Sequence, residues 1–313
     1  MKISMKSIEI KDLAQISGAS VQEVEMALKK NPAIKFNYRL LTVAEQREVI
    51  SKIQNKLIQN DLPVSGENDP TRWEVGWTEI LKSIENSTFT PELLKPQYFK
   101  YDIFRLNQNF IKVSDIDFEY NLFTLLRNIA FKKYLSSYSK IIEVGCGTGG
   151  NLYALRNLFP EASLIGCDWT KSSLQILDII SQNVSKKIEG KCFNMLTLEG
   201  KENLQMCQDT AVITIHSMEQ FGNSFSPILD YLLYKKPGIV FHLEPIFEFY
   251  DSGNDLDDLA IKYHKKKNYL NGYLPALEEL EQKKMIKVIQ KHRTHFGNLF
   301  EEQYSLIAWK PEP

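Results

Sequence analysis

Four glycines fall within six positions of "IIEVGCGTGGN" (141–151), directly after a short apolar run that carries an acid. Such a run reads as a strand breaking into a tight turn and then a helix. Glycine alone takes up left-handed backbone at no steric cost, and it lets a ligand approach where a Cβ would clash. The stretch therefore commits the chain to a strand–turn–helix unit, and series of such units build parallel α/β sheets.

The residues that follow continue the alternation. Strands are expected at 140–145, 163–168, near 191–195, at 210–216 and at 238–245, with helices at 151–159, 171–184 and 226–235 between them. A helix at 274–284 precedes "MIKVIQKHRTHFG" and "EEQYSLIAWKP", which a short loop should pair antiparallel. Upstream, "FEYNLFTLLRNIAFKKYL" (118–135) reads as an amphipathic helix. Residues 71 to about 120 show aromatics without sustained periodicity and are read as a bridging segment. Residues 1–60 read as helical, with 10–18, 20–32 and 41–58 as the helices, Gly18 and Asn31-Pro32 as breaks and Ser20 and Thr42 as caps. The expected units are a helical module at 1–65, a bridge and lead-in helix at 66–135, and the main domain at 136–313.

Gly145, Gly147 and Gly150 satisfy GxGxxG, a weak signal shared by nicotinamide, flavin and other nucleotide folds. Glu143 and Gly149 add an E-x-G-x-G-x-G reading. An acid on the strand has no use beside a pyrophosphate, but it suits a ligand with a cationic amino-acid end and no phosphate. This stretch resembles the first motif of class I S-adenosylmethionine-dependent methyltransferases, and the resemblance extends over residues 136–313.

It implies a Rossmann-like methyltransferase fold: a seven-stranded, mostly parallel sheet with a terminal antiparallel hairpin, here joined to an N-terminal helical module. It also implies S-adenosylmethionine as cofactor, held by Glu143, Gly145, Cys146, Gly147, Gly149, Asp168, Trp169, Asn194 and His216. Asp168, closing the second strand, would grip the ribose hydroxyls. Trp169 would pack on the adenine or ribose, and Asn194 would meet the adenine amino group. A nicotinamide-dependent dehydrogenase is the competing reading of the loop.

The acceptor is less legible. No Asn/Asp-Pro-Pro-aromatic tetrapeptide follows the fourth strand and no Pro-Cys dipeptide occurs, which argues against exocyclic base amines and pyrimidine C5. The fourth and fifth strands end "IHSMEQFGN" and "FHLEPIFE", so His216, Glu219, His242 and Glu244 are expected to face one crevice. His216 and His242 are candidate bases, with Glu244 orienting an imidazole or a substrate hydroxyl and Glu219 lining the pocket. The same set could instead hold a metal, although none is assigned. The long insert at 251–275 offers Tyr263, His264 and Tyr269 as a substrate wall, against a plain solvated helix. His292, Arg293 and His295 would meet an acidic acceptor or decorate an exposed strand.

Residues 10–32 and 40–53 resemble the helix-turn-helix of lac-repressor-type regulators. The would-be reading helix, however, carries Glu23 and Glu25, which repel phosphates, and Lys29 and Lys30 only balance them. The net charge of -1 adds no field for nucleic acid. The module is therefore read as serving homodimerisation or active-site cover. No apolar run serves as a leader or membrane span, and the four cysteines show no CxxC spacing. They are read as small buried residues of a cytoplasmic protein. The expected function is transfer of a methyl group to oxygen or nitrogen of a small polar metabolite. RNA or protein methylation, and a DNA-binding regulator with a degenerate catalytic domain, are the alternatives.

Overall fold

The computed structural model describes residues 4–29, 34–59, 62–65, 70–184 and 186–312. Lys30, the Asn31-Pro32 break and residues 61 and 66–69 lie outside them.

The first sixty residues are not helical throughout. Strand β1 (Lys6–Ser7) and helices α1 (Ile10–Ser17) and α2 (Val21–Leu28) precede strand β2 (Asn37–Leu40) and helix α3 (Val43–Ile58). Local chemistry sets the helix ends. Gly18 closes α1 in the left-handed region at φ 63°, and Ser20 and Thr42 form capping boxes with Glu23 and Glu45. Pairing of β2 corrects the expectation of a separate helical module. It joins β4 (Asn109–Lys112), which pairs β3 (Ile103–Leu106), and with β11 (Phe296–Gly297) the whole forms an antiparallel five-stranded sheet in the order β1-β2-β4-β3-β11. N-terminal, bridging and late residues thus share one sheet, which spans the expected boundary at 65/66.

The bridge also holds an unexpected helix, α4 (Pro70–Glu85). Trp73, Trp77, Ile80, Leu81 and Ile84 recur at helical spacing, a signal that the aromatic-rich reading passed over. Helix α5 (Phe118–Leu135) is buried nearly all round, with Phe118, Leu122, Leu126, Ile129 and Phe131 all inaccessible, and is not the one-faced amphipathic helix expected. It lies between the main sheet and α1 and α2, so water meets little of it.

From Lys140 the βαβ alternation appears as expected. The elements are β5 (Lys140–Val144), α6 (Gly150–Leu158), β6 (Ser163–Asp168), α7 (Lys171–Gln182), β7 (Ile188–Cys192), β8 (Thr210–Ile215), α8 (Ser226–Lys235), β9 (Ile239–Glu244), α9 (Asp255–Lys267), α10 (Tyr273–Gln282), β10 (Ile286–His292), β11 (Phe296–Gly297) and β12 (Ser305–Pro311). The main sheet has seven strands in the order β7-β6-β5-β8-β9-β12-β10, parallel except for β12, which runs antiparallel to both neighbours.

Period-two alternation sorts its side chains. Ile141, Ile213 and Phe241 face the core shared with α5, α6 and α7, whereas Ile142, Val212 and Val240 face α8 and α10. Strand order reverses between β5 and β8, and the crevice that such a switch leaves at the carboxyl ends of the strands is where open α/β sheets bind ligands.

The insert after β9 is the helix α9, anchored through its Leu256 carbonyl, which accepts from Arg105 Nη2 at 2.7 Å. Cys146 and Cys167 are buried as expected, but Cys192 and Cys207 are exposed, because they sit where β7 ends and before β8 begins. Among the described residues no helix is long and apolar enough to cross a membrane.

Candidate active site

The glycine loop leaves β5 with Gly145 and Gly147 at φ 75° and 50°, conformations that L side chains rarely adopt. Added Cβ atoms would also meet Ser217 Cβ at 2.4 Å and the Trp77 ring at 2.9 Å. The protein's own packing therefore demands both glycines, whatever the loop binds. Trp77 comes from α4, whose Glu74 carboxylate accepts the Lys171 and Ser172 amides at 2.8 and 3.1 Å and so caps α7 from outside.

Beneath the loop, Glu143 is wholly buried. Its Oε1 accepts from Asn151 Nδ2 at 2.7 Å, and Asn151 Oδ1 accepts from Arg127 Nη1 at 2.9 Å. Glu143 Oε2 is buried with no hydrogen-bond partner among the described residues. Burial pushes the Glu143 carboxyl up to about 8, against the pull of Asn151 and Arg127. Burial also lowers the guanidinium of Arg127, to about 10, against the rings of Phe123 and Phe131.

Asp168 clamps the loop from the next strand. Its Oδ2 accepts from the Gly147 amide at 3.0 Å, and its Oδ1 from the Thr170 amide and hydroxyl at 3.0 and 2.8 Å. Burial raises its pKa, and these bonds oppose the rise. Trp169 is 36% exposed, and Asn194 Oδ1 accepts the Leu196 amide at 2.9 Å in the turn after β7.

A cavity of about 250 Å³ opens over the loop. Gly145, Cys146 and Gly147 line it, together with His216, Glu219 and Tyr269; Glu143, Gly149, Asp168, Trp169 and Asn194 do not. His216 follows β8 in the left-handed region at φ 51°, an uncommon state for a non-glycine residue and one that aims the ring at the cavity wall. Its Nδ1 stands 3.6 Å from Glu219 Oε2, and its ring meets Tyr304 and Phe123 edge-on. Burial disfavours the charged imidazole, but Glu219, with Glu244 and Glu301 behind it, outweighs burial and raises its pKa.

The four polar residues at the ends of β8 and β9 do not share one pocket, which corrects that expectation. His242 is inaccessible. Its Nδ1 is 2.8 Å from Thr214 Oγ1, and its Nε2 is 2.7 Å from the Tyr273 hydroxyl and accepts from Trp309 Nε1 at 3.2 Å. Burial lowers its pKa to about 3, so the ring is a neutral core residue, not a base facing an acceptor. Glu244 is equally buried and accepts the Ser217 and Met218 amides at 3.0 and 3.2 Å, holding the loop that carries His216 and Glu219. Burial lifts it to about 6.

Of the proposed wall, only Tyr269 reaches the cavity. Tyr263 stacks on Phe300 at 4.7 Å, and His264 is buried with Nε2 2.9 Å from Glu301 Oε2, a contact without hydrogen-bond geometry. Arg293 forks onto Glu302 and Asp257, while His292 Nε2 meets the Ile16 carbonyl at 2.9 Å. His295 Nδ1 stands 3.7 Å from Glu302. His292 and Arg293 are spent on the protein itself. Among the described residues no three His, Cys, Asp or Glu side chains are grouped to hold a metal ion.

Sequence reasoning missed Glu119 and Arg127, both cavity-lining residues of α5. A carboxylate and a guanidinium set among the apolar positions of α5 were the available signal, since charges buried in a core need partners.

No family model matches the sequence, and no curated protein matches it. Solved structures with a similar course of chain include PH0226 from Pyrococcus horikoshii OT3, at 14% identity and TM-score 0.43 over 66% of this chain and 95% of that one. Magnesium protoporphyrin IX methyltransferase from Synechocystis PCC 6803, solved with S-adenosylhomocysteine, is similar at 11% identity and TM-score 0.44 over 60% and 80%. PigF, also solved with S-adenosylhomocysteine, covers 84% of this chain and 69% of its own at 10% identity and TM-score 0.42. These likenesses are distant, and the functional reading rests on the site.

Proposed function

We propose that the protein is an S-adenosylmethionine-dependent methyltransferase acting on oxygen or nitrogen of a small polar molecule. The observation that carries this reading is the loop itself. An acid-bearing strand enters a glycine turn at the topological switch of the sheet, and a cavity opens directly over that turn. The residues fit the amino-acid end of the cofactor. Arg127 and Asn151 line the cavity beside Gly145, where a carboxylate finds a guanidinium and an amide, and Glu143, behind the wall, accepts from Asn151 and holds it in place. Asp168 and Asn194 stand at the ends of β6 and β7, where an adenosine would lie across the crevice.

When bound, S-adenosylmethionine supplies an electrophilic methyl group, whose bond to sulfur breaks as an oxygen or nitrogen lone pair bonds to carbon, leaving a neutral thioether. The chain's own contribution is alignment, exclusion of water and reception of a proton. Trp73 and Trp77 of α4 cover the loop side of the cavity. His216, raised in basicity by Glu219, is the proton acceptor at the wall. Calorimetry tests the reading: S-adenosylhomocysteine should bind the full chain, and NAD should not. The reverse would hand the loop to a dehydrogenase.

A further inference from the structure

Two carboxylates line the cavity away from the glycine loop, Glu119 from α5 and Glu219 from the turn after β8. They are only 4% and 8% exposed, and among the described residues neither pairs with a lysine or arginine. Glu119 Oε1 accepts the Tyr304 hydroxyl at 2.9 Å, while Oε2 accepts no hydrogen bond among the described residues. Glu219 Oε1 accepts from Gln220 Nε2 at 2.7 Å, and Oε2 faces His216. Glu219 has the His216 imidazole 3.6 Å away and Glu119 has no ion-pair partner among the described residues; buried carboxylates so placed are costly, and a ligand cation can serve both. The cavity's own arginines are engaged by the protein. Arg127 is bonded to Asn151 beside the loop, and exposed Arg72 stacks its guanidinium 5.4 Å from the Trp73 ring. The rings of Phe99, Tyr120, Phe123 and Tyr269 also line it, and such rings attract cations: Lys95, Arg127 and Lys267 already stand 5.0, 5.2 and 5.2 Å from the centroids of the last three.

We propose that the methyl acceptor is an amine, bound as its ammonium by Glu119 and Glu219 against this aromatic wall. The proposal rests on the methyltransferase reading and names its substrate class. A neutral hydroxyl leaves Glu119 without a counter-ion and Glu219 with His216 alone, and an anionic acceptor meets like charge. Burial pushes Glu119 up to about 7, so it takes full charge at neutral pH only when a cation arrives. Methylation needs the nitrogen lone pair, so the ammonium must first give up a proton, and His216 beside Glu219 receives it.

The test uses three probes of similar size, phenethylamine, 2-phenylethanol and 3-phenylpropanoate, titrated into the full chain with and without S-adenosylhomocysteine. The amine should bind at least about tenfold more tightly than the other two. Glu119→Gln and Glu219→Gln should each weaken amine binding by about fivefold or more while leaving 2-phenylethanol within about twofold, since only the charge is removed. Glu219→Gln serves should the Glu119 variant fail to fold. Equal binding of the three, preference for the alcohol or carboxylate, binding of none, or an amine affinity indifferent to both variants overturns the proposal. If S-adenosylhomocysteine binds in those cases, the cofactor reading survives alone. If S-adenosylhomocysteine fails to bind, the methyltransferase reading falls first and the acceptor class with it.

Discussion

The Tyr273 hydroxyl lies 2.7 Å from His242 Nε2, and Thr214 Oγ1 lies 2.8 Å from Nδ1 on the other side of the ring. Helix α10, strand β8 and strand β9 are thereby joined through one imidazole. A histidine that reads in sequence as a base at a strand end is, in the fold, the centre of a buried polar network.

His242→Ala should therefore cost stability. The expected loss in denaturant unfolding is about 2–4 kcal/mol, from the cavity and the stranded Thr214, Tyr273 and Trp309 groups. S-adenosylhomocysteine affinity should stay within about twofold, and an unchanged midpoint with lost turnover would return His242 to catalysis. The pH dependence has a definite sign. Its folded pKa, about 3, lies below the unfolded value, so the contribution is full above about 6.5 and is lost as pH falls toward 3.

Glu143 carries the opposite sign. Its folded pKa, about 8, lies above the unfolded value, so the neutral acid is favoured in the fold and stability drains away as pH rises from about 4.5 through 8. The melting temperature of the ligand-free protein should fall over that range. Glu143→Gln should flatten the fall, with a gain on the order of 1–3 kcal/mol at pH 9, and should weaken cofactor binding. Parallel melting curves for the two proteins would show that Glu143 does not ionise in this window.

Asp168→Ala releases the Gly147 amide and both Thr170 bonds at once. S-adenosylhomocysteine affinity should drop by ~1–3 kcal/mol, the cost of polar groups left unpaired. Hydrogen exchange at Gly147 should accelerate in the ligand-free variant, because its donor then has no acceptor. Unaltered exchange together with unaltered affinity would remove Asp168 from the site.

Removal of residues 1–60 offers a test of the N-terminal segment. Deletion strips β1 and β2 from the small sheet and bares the face of α5 that α1 and α2 cover. The expected outcome is aggregation or a midpoint lowered by several kcal/mol, since apolar burial is lost at ~25 cal/mol per Å². A stable, monomeric truncated protein that binds DNA no less weakly than the full chain would identify a dispensable appendage, and a full chain that dimerises only with the segment present would restore the homodimer reading.

The order of strands and helices after Lys140 was legible in the sequence because it depends on short-range physics. Gly145, Ser163–Asp168 and Ser226–Lys235 each follow from backbone freedom, apolar runs and turn residues close in the chain. The helix caps at Ser20 and Thr42 were legible for the same reason. What each polar side chain faces was decided only by the tertiary structure. His216 and His242 stand alike at strand ends, yet a left-handed turn at φ 51° brings one to the cavity while α10 and β12 close over the other. Glu119 and Arg127 gained their place because α5 is enclosed on both sides, by the sheet and by a helix pair more than ninety residues earlier in the chain. Burial, and with it the basicity of every group in the site, is a sum over neighbours distant in sequence, and local spacing carries no record of that sum.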